Sequence, residues 1–235
     1  MRPGLFEASI QAPLTVAGAH LTPDRSGALY WAAERMLVVA DLHLEKGSAY
    51  AARGQMLPPY DTQATLGRLE DAAKRLNPLH IVLLGDTFHD RKAESRLAPD
   101  ARARLERLIA AAHRWTWILG NHDPAPPQNM GGAVAEEIRV GPLVLRHEPQ
   151  AKPVQGEIAG HLHPAATVTV KGRAIRRRCF ATDGERLVMP AFGAYAGGLD
   201  VFDPALRELF ARRFHAWMLG DDKVHAISSS RLARR

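Results

Sequence analysis

An α/β fold is what this sequence predicts, on three observations. Short apolar runs end in polar clusters, an amphipathic helical pattern separates the first two runs, and no internal repeat or Gly/Ser-rich linker divides the 235 residues. The runs are MLVVA (36–40) before Asp41, IVLLG (81–85) before Asp86, WTWILG (115–120) before Asn121, LVLR (143–146) before His147 and EIAG (157–160) before His161. Runs of this length with β-branched residues read as buried strands. Between the first two, DTQATLGRLEDAAKRL (61–76) puts Leu66, Leu69, Ala73 and Leu76 on one helical face. A second helix is expected over 99–113, opened by Pro99-Asp100, with Leu105, Leu108, Ile109 and Ala112 as its stripe. Strand–helix–strand alternation implies right-handed crossovers and a ligand site beyond the carboxyl ends of the strands. After 165 the pattern changes to strands at 168–170, 176–181, 186–192 and 199–202, with a helix at 204–218. One domain is expected over 1–225, and 226–235, AISSSRLARR, is expected to be a flexible basic tail.

Composition narrows the class. Apolar residues at 46% and charged residues at 24% exclude a disordered or fibrous chain. The one cysteine, Cys179, excludes an intramolecular disulfide and a cysteine-rich zinc module, and reads as a small core residue. The N-terminal MRPGLFEASI has no apolar signal run, and no stretch approaches the ~18 apolar residues of a membrane span. The expectation is a cytoplasmic protein with no membrane partner. The net charge of +6 comes from 31 basic against 25 acidic residues. Residues 1–170 balance, so the excess lies after 170, where KGRAIRRR (171–178) carries five positive charges. Such a run reads as a solvated strand face or as a guide for a polyanion.

The polar clusters carry the chemistry. They are Asp41-Leu42-His43, Gly85-Asp86, Gly120-Asn121-His122-Asp123, His147 and Gly160-His161-Leu162-His163. A single histidine says little, but five of the chain's 11 fall here, each at or just beyond a predicted strand end. Residues i and i+2 of an extended segment face the same way, so Asp41 with His43, and His161 with His163, can each present two ligands to one site. Imidazole, carboxylate and amide oxygen suit Mn²⁺, Fe or Zn²⁺. Two neighbouring cations need a bridging anion, for which Asp86 is the candidate. Such a pair lowers the pKa of a shared water and clamps phosphate oxygens. A histidine outside the ligand set must still assist the leaving oxygen, and His122 stands in the right place.

In this order, D-x-H, G-D, G-N-H-D, H and G-H-x-H resemble the calcineurin-like metallophosphoesterase superfamily over roughly residues 35–165. The resemblance implies a four-layer α/β/β/α sandwich. It implies that Asp41, His43 and His163 hold one divalent ion, that Asp86 bridges, and that Asn121, His147 and His161 hold the second. It makes His122 the catalytic histidine and Asp123 its orienting partner. At one point the pattern departs, since Arg146 precedes His147 where many relatives have Gly.

Three blocks, 28–62, IVLLGDTFHD (81–90) and RLVMPAFGAYAGGLDV (186–201), are similar to a smaller bacterial branch. This branch is the ligase-associated DNA damage response endonucleases of the PdeM type. That likeness implies a metal-dependent nuclease or phosphodiesterase acting on DNA, with Mn²⁺ the first expectation for both ions. It also implies functional links with an ATP-dependent DNA ligase and a DNA helicase.

His89 and Asn121 are candidates for substrate contact. For His89 the plain alternative is a loop residue outside the metal sphere. Tyr60 and the pair Trp115 and Trp117 read as packing residues. The Gly-rich stretch 192–198 reads as a tight turn beside the metal site, with Tyr195 a minor candidate for substrate contact. Two other functions stay open: a phosphodiesterase or phosphatase acting on small molecules such as nucleotides, and a non-catalytic scaffold of the same fold.

Overall fold

The computed structural model describes residues 14–234 except 56, 126, 128 and 212. The N-terminal decapeptide read above for a signal sequence lies outside the described residues. The first sheet begins with an antiparallel lead-in, β1 (Leu14–Val16), β2 (Ala19–Pro23) and β3 (Leu29–Trp31). It continues as the parallel set β4 (Met36–Val39), β5 (His80–Leu84), β6 (Arg114–Ile118) and β7 (Ala133–Ala135), in sequence order across the sheet. Four helices lie between these strands: α1 (Lys46–Ala51), α2 (Asp61–Leu76), α3 (Ala93–Arg96) and α4 (Pro99–Ala111).

Helix α2 forms where the 3.6-residue pattern demanded it. Leu66 and Leu69 are fully buried, Lys74 and Arg75 complement the C-terminal end of the dipole, and Asn77 stops the helix in a left-handed turn. Proline at the first position opens α4.

The second sheet is mixed. It contains β8 (Glu137–Val140), β9 (Leu143–Arg146), β10 (Glu157–Ala159), β11 (Pro164–Val170), β12 (Arg173–Thr182), β13 (Arg186–Val188) and β14 (Leu199–Asp200). Its order is β14-β11-β12-β13-β10-β9-β8, with β9, β10 and β13 mutually parallel. After α5 (Pro204–Arg207), the hairpin of β15 (His215–Leu219) and β16 (Val224–Ser228) adds to β12.

The two sheets stack face to face. Val38, Val82, Leu84 and Ile118 of the first meet Leu145, Ile158, Phe180 and Leu187 of the second. The alternate residues Leu37, Val39, Ile81 and Leu83 face α2 and α4 and pack with Leu66, Leu69 and Leu105. Burial on both faces is why these strands read as unbroken apolar runs. Trp115 and Trp117 join the helix-side core edge-to-face, with ring centroids 5.4 Å apart. Cys179 is fully buried in a third cluster with Val201, Leu206, Phe210 and Phe214, and burial pushes its thiol pKa up. Among the described residues, no helix is long and apolar enough to cross a membrane.

Two expectations of local structure fail at the C-terminal end. The helix expected over 204–218 stops at Arg207, and 215–219 is a strand whose alternate residues Ala216 and Met218 bury against Cys179 and Ala181. Residues 226–234 are not a free tail. The strand β16 pairs with β15, Leu232 is buried, and the Ala233 amide donates to the Thr167 carbonyl. Hydrogen bonding to an open sheet edge outweighed the polar composition of the segment.

Candidate metal centre

All five polar clusters arrive at one rim, beyond the carboxyl ends of β4, β5, β6, β9 and β10. Asp41, His43, Asp86, His161 and His163 all have φ between 45° and 66°. Non-glycine residues in this left-handed region cost of order 1–3 kcal/mol each and persist only where surroundings fix them. Those surroundings are backbone bonds between the loops. The amides of Asp41 and His43 donate to the Gly85 and Asp86 carbonyls, and the Gly160 amide donates to the His147 carbonyl. The glycines of the motifs permit this closeness. A Cβ at Gly85 would lie 2.3 Å from the His147 ring, and one at Gly120 would lie 2.2 Å from Asp86 Oδ1.

The gathered side chains form two groups. Asp41, His43 and His163 make one and Asp86, His147 and His161 the other, the ligand atoms within each lying no more than 4.8 Å apart. In the first group His43 Nε2 is 3.3 Å from His163 Nε2, which is 3.3 Å from Asp41 Oδ1. In the second, His147 Nε2 is 3.3 Å from His161 Nδ1, and Asn121 Oδ1 lies 2.9 Å and 3.0 Å from these two nitrogens. Asp86 spans both groups, with Oδ2 4.0 Å from His43 Nε2 and Oδ1 3.4 Å from His147 Nε2.

The donor set fits divalent cations. Bonds of about 2.1 Å to N and O ligands space those ligands about 3.0–3.4 Å apart, which matches the separations seen. In the tautomer that carries its N–H on the far nitrogen, a neutral imidazole turns a lone pair toward the facing ring and can ligate a cation there. Among the described residues, the buried His43 Nδ1 has no hydrogen-bond partner. Electrostatics split the cluster. Burial, then the neighbouring His163, pushes the His43 pKa down to about 3. His147 is raised, because the hydrogen bond and charge of Asp86 and the charge of Asp41 overcome its burial. Asp86 is lowered in turn, its burial outweighed by His147, the His122 amide and His43.

His122 stands at the mouth of the site, 43% exposed, with Nε2 3.9 Å from Asp86 Oδ2. Its orientation differs from the expectation. His122 Nδ1 lies 2.9 Å from the His89 carbonyl, and Asp123 does not hold the ring. Asp123 turns inward, where its Oδ2 accepts the Phe88 amide at 3.0 Å. Burial raises its pKa to about 7. It braces the 86–88 loop because the tight turn at 120–123 sends adjacent side chains apart. His89 stacks on His122, with centroids 5.7 Å apart and planes 22° apart, and approaches His43 at 5.7 Å. The three rings form a further group, and the buried His89 Nδ1 has no hydrogen-bond partner among the described residues.

Arg146 turns away from the site to the Glu137 and Glu157 carboxylates, so the missing glycine before His147 leaves the ligand in place. Tyr60 is 69% exposed, which corrects its reading as a packing residue. The Tyr195 hydroxyl is spent on the Pro58 carbonyl. The 171–178 run is not one surface. Arg173, Arg176 and Arg177 are exposed, whereas Arg178 is half-buried, donates to the Ala191 and Gly193 carbonyls, and has its pKa lowered to about 10 by burial. Sequence reasoning missed Arg178 as a site residue, and its place beside the apolar Cys179-Phe180 pair was the available signal.

The calcineurin-like phosphoesterase family model matches residues 34–184. Among solved structures, Pseudomonas putida nuclease MPE is 32% identical, covering 92% of this chain and 99% of that one with a TM-score of 0.69. Yfce, a phosphoesterase from E. coli, is 14% identical over 82% of this chain and 98% of its own, with a TM-score of 0.41. No curated protein sequence matches. The ordered ligand motifs, the two stacked sheets with their shared rim and the match over most of the chain agree, and the protein belongs to the calcineurin-like phosphoesterase family as a metal-dependent phosphoester hydrolase.

Proposed function

We propose that the protein is a dinuclear phosphodiesterase that cleaves phosphodiester bonds in DNA. The observation that carries the reading is the Asp86 carboxylate, whose two oxygens face the two ligand groups from between them. Asp41, His43 and His163 would hold one cation, Asn121, His147 and His161 the other, with Asp86 shared. When bound, two such ions make water nucleophilic near neutral pH and neutralise the non-bridging phosphate oxygens, and Mn²⁺ suits this N/O donor set. His122 faces the open side and delivers a proton to the departing oxygen, its ring fixed by the His89 carbonyl. The stacked His89 ring lines the same mouth and contacts the substrate phosphate. A nucleic acid is favoured by the nuclease named among the similar structures and by the exposed arginines Arg173 and Arg177, and DNA within that class by the likeness of the three sequence blocks. A role in DNA damage response, beside an ATP-dependent ligase and a helicase, follows from the likeness of the three sequence blocks alone.

The test is hydrolysis with Mn²⁺ of bis-p-nitrophenyl phosphate, DNA, cyclic nucleotides and phosphomonoesters side by side. DNA and the diester are expected to turn over, and His122→Ala to lose about 10²–10⁴-fold in kcat while keeping its metal. Hydrolysis confined to monoesters or cyclic nucleotides would replace the DNA reading with the small-molecule one.

A further inference from the structure

One segment touches the ligand loops without contributing a ligand. Residues 191–198 follow β13 and lie beyond the part of the chain matched by the family model. The Phe192 amide donates to the Ala40 carbonyl at 2.8 Å, and the Gly193 amide to the Asp41 carbonyl at 3.1 Å. Gly193 presses so closely that a Cβ there would lie 2.3 Å from the Leu42 carbonyl oxygen. At the other end, a Cβ on Gly198 would lie 2.9 Å from the His163 carbonyl oxygen, to which the Leu199 amide donates at 3.0 Å. The segment thus seals the backbone on both sides of the Asp41/His43/His163 group. Among the described residues its hydrogen bonds reach none of Asn121, His147 and His161.

Three arginines hold the segment from behind. Arg176 and Arg178 share one face of β12. Arg178 donates to the carbonyls of Ala191 at 2.7 Å and Gly193 at 3.0 Å, and Arg176 to that of Gly198 at 2.5 Å. From α2, Arg68 donates to the Phe192 carbonyl at 2.8 Å and lies over the Phe192 ring. A guanidinium supplies several donors in a fixed fork, which suits neighbouring carbonyls as an ammonium does not.

We propose that residues 191–198 are a strap, clamped by Arg178, Arg176 and Arg68, that sets the cation affinity of the Asp41/His43/His163 group more strongly than that of the other group, which it reaches only through the Asp41 carboxylate and the His161 amide. Arg176 and Arg178 are therefore positioning residues. The inference rests on the metal reading above and adds to it an asymmetry between the two sites. Asp41, His43 and His163 hold left-handed backbone, as do Asp86 and His161, but only the first group is bonded to the strap, so loosening it releases these residues first.

Calorimetric titration of the full chain with Mn²⁺ tests this. The parent protein should bind two equivalents, one lost in His163→Ala and the other in His161→Ala. In Arg178→Met the class lost in His163→Ala should weaken about tenfold or more, with the second class weakened less. Arg178→Lys should recover part of the loss, and the solvent-facing Arg177→Met should bind both ions normally. If Arg178→Met does not fold by urea titration, Arg176→Gln, exposed and at the far end of the strap, should show the same uneven loss. Unchanged binding, or equal weakening of both classes, would overturn the strap. A parent protein that binds no Mn²⁺ would overturn the metal reading, and the strap with it.

Discussion

At the rim, Asp41, His43, Asp86, His161 and His163 hold left-handed backbone, and the buried imidazoles of His43 and His147 each face a half-buried one at 3.3 Å. One residue below, β4 and β5 are regular strands with no residue at positive φ, buried on both faces by aliphatic side chains. The same chain supplies both within a few residues. The strands gain free energy by removing apolar surface from water. The rim gives back part of that gain in left-handed loops and in imidazoles brought close around buried carboxylates. The division teaches that the two layers answer to different substitutions: the rim governs chemistry, and the sheets govern stability.

The sharpest way to break this division is Asp86→Asn. Loss of the shared carboxylate should lower kcat on a diester about 10³-fold or more, since several kcal/mol of charge stabilisation depend on it. The urea midpoint of the metal-free protein should fall only by the loss of the Asp86–His147 pair. A large fall in that midpoint would mean that the rim carries stability after all. The complementary substitution is Leu69→Ala, fully buried between α2 and the first sheet. It should cost about 2–5 kcal/mol in a urea titration while turnover per folded molecule is kept.

A smaller effect is expected at the opposite end of the strands. His80, at the start of β5, is buried and lies 2.8 Å from Thr116 Oγ1, and burial followed by the nearby Arg114 lowers its pKa from 6.5 to about 4. The unfolded chain therefore binds this proton more readily than the folded one. Its stabilising contribution is complete above about pH 6.5 and is lost as pH falls towards 4. Stability measured at pH 7 and pH 4.5 should differ by about 1–3 kcal/mol less in His80→Asn than in the parent. Equal differences would place the acid sensitivity wholly in the rim.

Much of this was legible before any coordinates. The spacing of Leu66, Leu69, Ala73 and Leu76 gave α2 its full extent, and the runs before Asp41, Asp86 and His147 gave three strands and the polar residues at their ends. Less legible was the end of the chain. His215-Ala-Trp-Met-Leu219 has no strand signature of its own and becomes β15 because the edge of β12 is there to pair with it. The role of Arg178 was hidden for a related reason. A charge run shows its count in sequence but not its alternation around a strand, and that alternation sends Arg176 and Arg178 to the strap and Arg177 to solvent.

The sequence by itself determined which residues meet. Apolar periodicity fixes the strands, and each strand carries its own polar cluster to the carboxyl end, so convergence follows from local pattern and parallel pairing. Only the tertiary structure decided how each ligand is held: that the His89 carbonyl and not Asp123 orients His122, and that 191–198 closes over one group and not the other. Those contacts join residues 33 to 152 positions apart, and at such range the partner is chosen by which backbone groups the packed sheets leave unpaired.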